Sequence, residues 1–128
     1  MKIGSHISSA GGFCAMYHKA RSIGCDTMQF FVRNPRGGKA KAIDENDLTE
    51  FHRLLTEGNC SPVVVHAPYT MNICSPKTDV RQFGLEMMRE DLERMEYFPG
   101  NYYNFHPGSA VGQPQELAVR LIADGLNT

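Results

Sequence analysis

This sequence lacks the features that would place it in several common classes. It has no run of about 18 apolar residues, so no membrane-spanning helix is predicted, and its first residues lack the apolar stretch of a signal peptide. The cysteines, at positions 14, 25, 60 and 74, form no C-x-x-C motif. That spacing favours neither a zinc ribbon nor a disulfide framework, and we expect reduced thiols and a cytoplasmic location. The net charge of −1 argues against bulk binding to polyanions.

Two further absences concern active sites. No G-x-G-x-x-G or G-x-x-x-x-G-K-[ST] motif follows a predicted strand, which weakens the case for a nucleotide-binding sheet. Hydrolytic sites with several metal ions need several Asp or Glu ligands. The carboxylates here fall mainly in predicted helices and helix caps, and none ends a predicted strand. Any metal site within this chain is therefore short of ligands.

What the sequence does contain is a pair of strands that each end at a histidine. Val63–His66 is a β-branched run typical of a strand buried on both faces, and Pro68 stops its ladder. The pattern returns at Tyr102–His106, which Pro107 follows. Parallel α/β folds place their chemistry at the carboxyl ends of such strands. The two histidines are thus the first candidates for a functional site.

The rest of the chain alternates strands with amphipathic helices. Strands are predicted at residues 2–7 and 27–32 ahead of the two above, and a helical pattern follows each of the four. This alternation predicts a parallel sheet with right-handed crossovers in a single domain, residues 1–128. A small doubly wound sheet and half of a (βα)8 TIM barrel both fit. Since a whole barrel needs about 250 residues and nucleotide motifs are absent, a partial barrel of four βα units is favoured.

His66 and His106 are predicted to bind one metal ion. Neighbouring strands lie about 4.8 Å apart, so two imidazoles at their carboxyl ends can reach a shared zinc. The alternative is that each ring caps its strand by bonding loop carbonyls. His6 ends the first strand without a following proline, and ligation and support of a ligand both stay open for it.

The loop at residues 33–41 carries four cations and no anion. It follows the second strand, on the same edge as the histidines, where cations suit a substrate that bears phosphate. A solvated turn is the alternative. Tyr69, just past His66, could stack on a base or sugar or simply cover the rim.

With these residues placed, the chain resembles the amino-terminal half of endonuclease IV, the zinc-dependent apurinic/apyrimidinic endonuclease family. The matching stretches are Lys2-Ile3-Gly4-Ser5-His6-Ile7-Ser8, Gly11-Gly12, Phe30 to Arg36, His66-Ala67-Pro68-Tyr69 with Asn72, and Asn104-Phe105-His106-Pro107-Gly108-Ser109.

The resemblance implies a function in DNA repair. Members are (βα)8 barrels with three zinc ions, and they hydrolyse the phosphodiester on the 5′ side of an abasic site. By resemblance, His66 and His106 share one zinc, so this chain would hold at most part of one site. Arg36 and Tyr69 match residues that enter DNA at the lesion.

Three departures from the family pattern stand out. Gly37 replaces a larger DNA-contacting side chain of some relatives, and Ala110 replaces a histidine. The sequence ends at Thr128, before the family's bridging glutamate and later ligands. No complete catalytic set is therefore expected here, and we expect this chain alone to be inactive.

Two alternatives stay open. One is a metal-dependent sugar isomerase or epimerase of the same barrel type, against which the basic loop counts. The other, of a different class, is a non-catalytic half-barrel that associates with itself or with a missing half, since four parallel strands leave two open edges and an apolar inner face.

Overall fold

Four strands alternate with four helices along the chain, as the sequence pattern predicts. The computed structural model describes residues 1–36 and 38–128. In chain order the elements are β1 (Gly4–His6), α1 (Phe13–Ser22), β2 (Thr27–Phe31), α2 (Glu45–Glu57), β3 (Val64–His66), α3 (Thr78–Met95), β4 (Tyr102–Asn104) and α4 (Gln115–Leu126).

The strands form one parallel sheet in the order β1-β2-β3-β4. The predicted partial barrel of four βα units is thereby confirmed. In the ladder, His6 is opposite Gln29, and His66 is opposite both Phe31 and Asn104. All four carboxyl ends therefore meet at one edge of the sheet.

Side chains alternate between the two faces of this sheet, because successive strand residues point in opposite directions. On β2, Met28 and Phe30 are buried beneath the helices, whereas Gln29 and Phe31 are half-buried on the other face. On β3 the sequence suggested burial on both faces. Val64 is only half-buried, because its face is the inner, uncovered face of the half-barrel.

Phenylalanine rings fill the space between the sheet and the first two helices. Phe30 from β2 meets Phe13, Phe51 and Phe98 with ring centroids 5.5–6.2 Å apart, mostly edge to face. Edge-to-face geometry is the arrangement that aromatic quadrupoles favour. This cluster fixes α1 and α2 against β2 and so fixes the carboxyl end of that strand.

The start of α1 depends on a carboxylate from α2. Asp47 accepts hydrogen bonds from the backbone N–H groups of Phe13 (2.6 Å) and Cys14 (3.0 Å), so it satisfies two donors at the helix amino terminus. Burial opposes the charged form, but the bonds from Cys14 and Phe13 hold the pKa of Asp47 below its usual value. Asp44 caps α2 itself, with its side chain accepting from the N–H groups of Asn46 and Asp47.

The periodicity of the sequence predicts a buried stripe on α3 at Leu85, Met88, Leu92 and Met95, and in the structure this stripe is displaced by about one position. The buried residues are Gly84, Met87, Met88 and Asp91, whereas Leu92 is 48% exposed. Asp91 is fully buried because two distant groups bind it: Arg33 Nε at 2.5 Å and the Tyr103 hydroxyl at 3.0 Å.

This buried network joins three elements. Burial raises the pKa of Asp91, although Arg33 and Tyr103 oppose the rise by bonding the carboxylate. Arg33 also pairs with Glu90 at 2.9 Å, and its Nη1 donates to the Gly38 carbonyl. Loss of one partner would leave a buried charge uncompensated, which typically costs about 3–5 kcal/mol. The network thus fixes the loop after β2 against α3 and β4.

The loops after β3 and β4 are joined by hydrogen bonds. Asn72 donates to the Ser109 carbonyl (3.0 Å), the Ile73 N–H donates to the Pro107 carbonyl (3.2 Å), and Gln113 donates to the Cys74 carbonyl. These bonds fix the loop after His106 relative to the loop after His66.

The length and hydropathy of each helix decide whether it could cross a membrane. Within residues 1–36 and 38–128, none of the helices combines the length and apolar character needed to cross a bilayer.

Glycine at position 108 is required where the loop after β4 packs against the loop after β3. Gly108 has φ +114°, and a Cβ there would lie 2.0 Å from Asn72 Oδ1. Gly108→Ala should therefore lower the free energy of unfolding by well over the roughly 1–2 kcal/mol that a left-handed conformation costs an alanine, as measured by urea denaturation.

Gly112→Ala is the matched control. Gly112 lies in the same loop with φ +81°, but a Cβ there meets nothing within 4 Å. It should show only the conformational cost. Equal losses from the two variants would contradict the contact between Gly108 and Asn72.

Candidate functional site

Three imidazoles lie together at the carboxyl edge of the sheet. His6 ends β1, His66 ends β3, and His106 follows β4 by two residues. The ring centroids of His66 and His106 are 5.2 Å apart, and those of His6 and His66 are 6.1 Å apart. The structure thus brings together the two histidines predicted as ligands and places His6 beside them.

His66 is held in one orientation by the backbone carbonyl of the next residue, Ala67. Its Nδ1 lies 2.5 Å from the Ala67 carbonyl oxygen, which can only accept, so Nδ1 carries the proton. This is a carbonyl contact of the kind expected if the histidine only capped its strand, but it uses only one ring nitrogen. Nε2 keeps a free lone pair. A histidine ligand usually donates its other N–H to such a carbonyl.

The separation of His66 and His106 suits one zinc ion. With Zn–N bonds of about 2.0–2.1 Å and a tetrahedral angle, two imidazole centroids should lie about 5.2 Å apart, as they do. By the same geometry, 6.1 Å places His6 too far for a third tetrahedral position. Across the described residues, no three His, Cys, Asp or Glu side chains form a metal-binding group. Two imidazoles fit part of a site.

His6 contacts the second strand. Gln29 Nε2 lies 2.9 Å from His6 Nδ1, and the Phe31 ring lies 4.4 Å from the His6 ring. Partial burial, and to a lesser degree the neighbouring His66, lower the pKa of His6. Its ring is therefore neutral over a wider pH range than that of a free histidine.

Phe31 links the remaining aromatic groups of the site. Its ring contacts His66 at 5.3 Å and Tyr69 at 5.5 Å, in addition to His6. Tyr69 is 60% exposed and stands edge to face on Phe31, so it projects beside the histidines. Neither Phe31 nor Gln29 was predicted as a site residue. Alternation along β2 places Gln29 and Phe31 together on the face opposite Met28 and Phe30. That alternation is the sequence signal that could have identified them.

The cations of the loop divide into two groups. Arg33 is buried in the network with Asp91, so it is a structural residue and not a solvent-facing one. Arg36, Lys39 and Lys41 are exposed, and the Arg36 N–H donates to Asn34 Oδ1 in a tight turn. Gly37 lies outside the described residues.

The second departure from the family pattern, Ala110, lies in the loop after β4. It is half-buried, and its carbonyl accepts from the Gln113 N–H.

Curated relatives match this chain from end to end. A protein of Clostridium beijerinckii, "Probable endonuclease 4", is 55% identical over 128 residues. A protein of the same name from Akkermansia muciniphila is 53% identical over 125 residues. The alignments cover 100% and 98% of this chain but only 46% and 45% of the relatives. The chain therefore spans about half the length of the curated relatives it matches.

Solved structures share the fold. Endonuclease IV from Thermus thermophilus superposes with a TM-score of 0.81 at 26% identity, covering 99% of this chain and 46% of that one. A D-psicose 3-epimerase reaches 0.61 at 13% identity, with the same coverage, 99% and 46%. An identity this low shows the fold alone.

The family profile described as "Xylose isomerase-like TIM barrel" matches residues 17–128. Four parallel βα units, carboxyl-edge histidines and this match together identify the chain as a member of the xylose isomerase-like TIM barrel family.

Proposed function

We propose that this chain is the amino-terminal half of a zinc-dependent endonuclease that hydrolyses the DNA backbone on the 5′ side of an abasic site. The observation that carries the proposal is the pairing of His66 with His106. Their spacing suits one zinc, and the Ala67 carbonyl leaves Nε2 of His66 free to bind it. The relatives' names and the shared fold support the same class of activity.

His66 and His106 would hold one zinc ion through neutral imidazole nitrogens. A zinc ion bound there would supply positive charge for the phosphate and lower the pKa of water. The chain's own residues would fix its position, because His66 is buried and the hydrogen bonds from Asn72 and Ile73 fix the loop after His106.

The exposed groups on the loops after β2 and β3 would receive the DNA. Arg36 and Lys39 offer cations to the phosphates, and Tyr69 offers an aromatic face that can occupy the space left by a missing base. Tyr69 is oriented for this by its edge contact with Phe31.

The charge of the loop after β2 is the reason to propose abasic DNA over a sugar substrate. The role would then be cytoplasmic DNA repair. A ketose is uncharged and does not need the cations of Arg36 and Lys39, whereas a phosphodiester is an anion that such cations bind. The sugar epimerases match this chain at 13–16% identity, which supports the fold and not the reaction.

A second candidate is a half-barrel that pairs with a second copy of itself. The outer edges of β1 and β4 pair with no other strand of the described sheet, and inner-face residues such as Tyr102 are exposed (62%). Two copies would supply the eight strands of a closed barrel, and pairing would satisfy both open edges.

Zinc binding should depend on the two paired histidines. Calorimetry on the isolated chain should give weak binding, far below the roughly 10 kcal/mol of structural zinc sites, because no carboxylate adds to the two imidazoles. His66→Ala or His106→Ala should abolish it. His18→Ala is the control, since His18 lies on α1. Tight binding that survives both changes would contradict the proposed ligands.

DNA binding should depend on the exposed loop cations. Arg36→Ala and Lys39→Ala should each weaken binding to an abasic duplex and reduce the salt slope by about 0.9, because each phosphate contact releases counterions. Lys19→Ala, in the last turn of α1, should change neither quantity. Affinity and salt slope that are the same in the loop variants as in the parent would show the loop to be a solvated turn.

Cleavage should require more than this chain. The purified chain with zinc should not cut an abasic duplex, since two imidazoles hold at best part of one metal shell. A mixture with the carboxyl-terminal half of the Clostridium beijerinckii relative should cut it. Cutting by the chain alone, lost on His106→Ala, would overturn this expectation.

Self-association is measured separately. Size-exclusion chromatography with light scattering should give a dimer if the open edges pair. A monomer at all concentrations would contradict the second candidate and leave the first intact.

A further inference from the structure

His6 and His66 lie side by side but are bound by opposite kinds of group. Nδ1 of His66 faces the Ala67 carbonyl oxygen at 2.5 Å, whereas Nδ1 of His6 faces the Gln29 amide nitrogen at 2.9 Å. A carbonyl oxygen only accepts, and a side-chain amide nitrogen only donates. The two imidazoles are therefore held with their protons on different nitrogens.

The consequence for His6 follows from its contact with Gln29. Because the amide donates, Nδ1 of His6 must accept, and the ring proton sits on Nε2. A doubly protonated ring could not make this contact, since both nitrogens would be donors. His66 has the reverse arrangement, with the proton on Nδ1 and the lone pair on Nε2.

The contact is built into the sheet. His6 and Gln29 are opposite each other in the β1–β2 ladder, and the Phe31 ring lies 4.4 Å from the His6 ring. The side chain of His6 is exposed on the carboxyl edge. The ring centroid of His6 lies 6.1 Å from that of His66, a separation that is too long for a shared zinc.

We propose that His6 is a hydrogen-bond donor to an anionic phosphodiester oxygen and not a zinc ligand. Gln29 sets this role by donating its amide N–H to Nδ1 of His6, which keeps the ring proton on Nε2. This rests on the proposed function for the identity of the substrate, but the proton placement does not. A donor beside a metal-held phosphate would position the diester without adding a ligand to the ion.

The proton placement is measured by two-bond ¹⁵N–¹H NMR of the histidine rings in the metal-free chain. His6 should show the Nε2–H form and His66 the Nδ1–H form. At a pH high enough to keep the ring neutral, Gln29→Glu should convert His6 to the Nδ1–H form, because a carboxylate can only accept. His6 in the Nδ1–H form in the parent chain would overturn the proposal.

The donor role is tested with dimethyl phosphate as the probe. Titration should shift the His6 Nε2 signal in the parent, and Gln29→Glu and His6→Ala should each weaken binding about tenfold, as expected for a lost bond to a charged group. Asn104→Asp adds the same charge on the inner face without a hydrogen bond to His6, so it should weaken binding much less. No shift at His6 in the parent, or equal weakening by Asn104→Asp, would overturn the role.

Zinc affinity separates this proposal from the proposed function. His6→Ala should leave the affinity unchanged within about twofold, whereas His66→Ala should abolish binding. A tenfold loss from His6→Ala would make His6 a ligand and overturn the proposal. If the chain bound no zinc but the NMR results held, the proposed function would fail while the assignment of His6 as a donor stood.

Discussion

The parallel register of the four strands is the constraint on which the site depends. Because the ladder sets His6 against Gln29 and His66 against Phe31, residues far apart in sequence reach the same edge. Alternation then sends one set of side chains under the helices and the other onto the inner face. A shift of one residue in β3 would bury the wrong side chain and move His66 away from His106.

Hydrogen bonds outside the histidine cluster fix the loops at this edge of the sheet. The buried contacts of Asp91 with Arg33 and Tyr103 tie the end of β2 to α3 and β4. The bond from Asn72 to the Ser109 carbonyl joins the next two loops. Each tie connects segments that carry a histidine or an exposed cation. The inner face stays uncovered by the described residues, as the 62% exposure of Tyr102 shows.

Sequence patterns alone predicted the four βα units and the histidine pair, because both follow from local periodicity and from strand ends. They misplaced the stripe of α3, since Asp91 can be buried only because Arg33, 58 residues away, and Tyr103 bind its carboxylate. Arg33 was grouped with the loop cations for the same reason. Gln29 and Phe31 were missed because a strand residue gains its role only from the neighbour that the register supplies. Asp47 lies in the first turn of α2, and its bond to the start of α1 is a tertiary contact that no local pattern contains.

The central claim is that His66 and His106 share one metal ion at this edge. X-ray absorption at the zinc edge, on the chain with less than one equivalent of zinc, tests it most directly. The account predicts two imidazole nitrogens at about 2.0–2.1 Å, with oxygen completing the shell, and only the all-oxygen shell of unbound aqueous zinc in His106→Ala. Sulfur scattering from the cysteines, or a shell unchanged by His106→Ala, would contradict it.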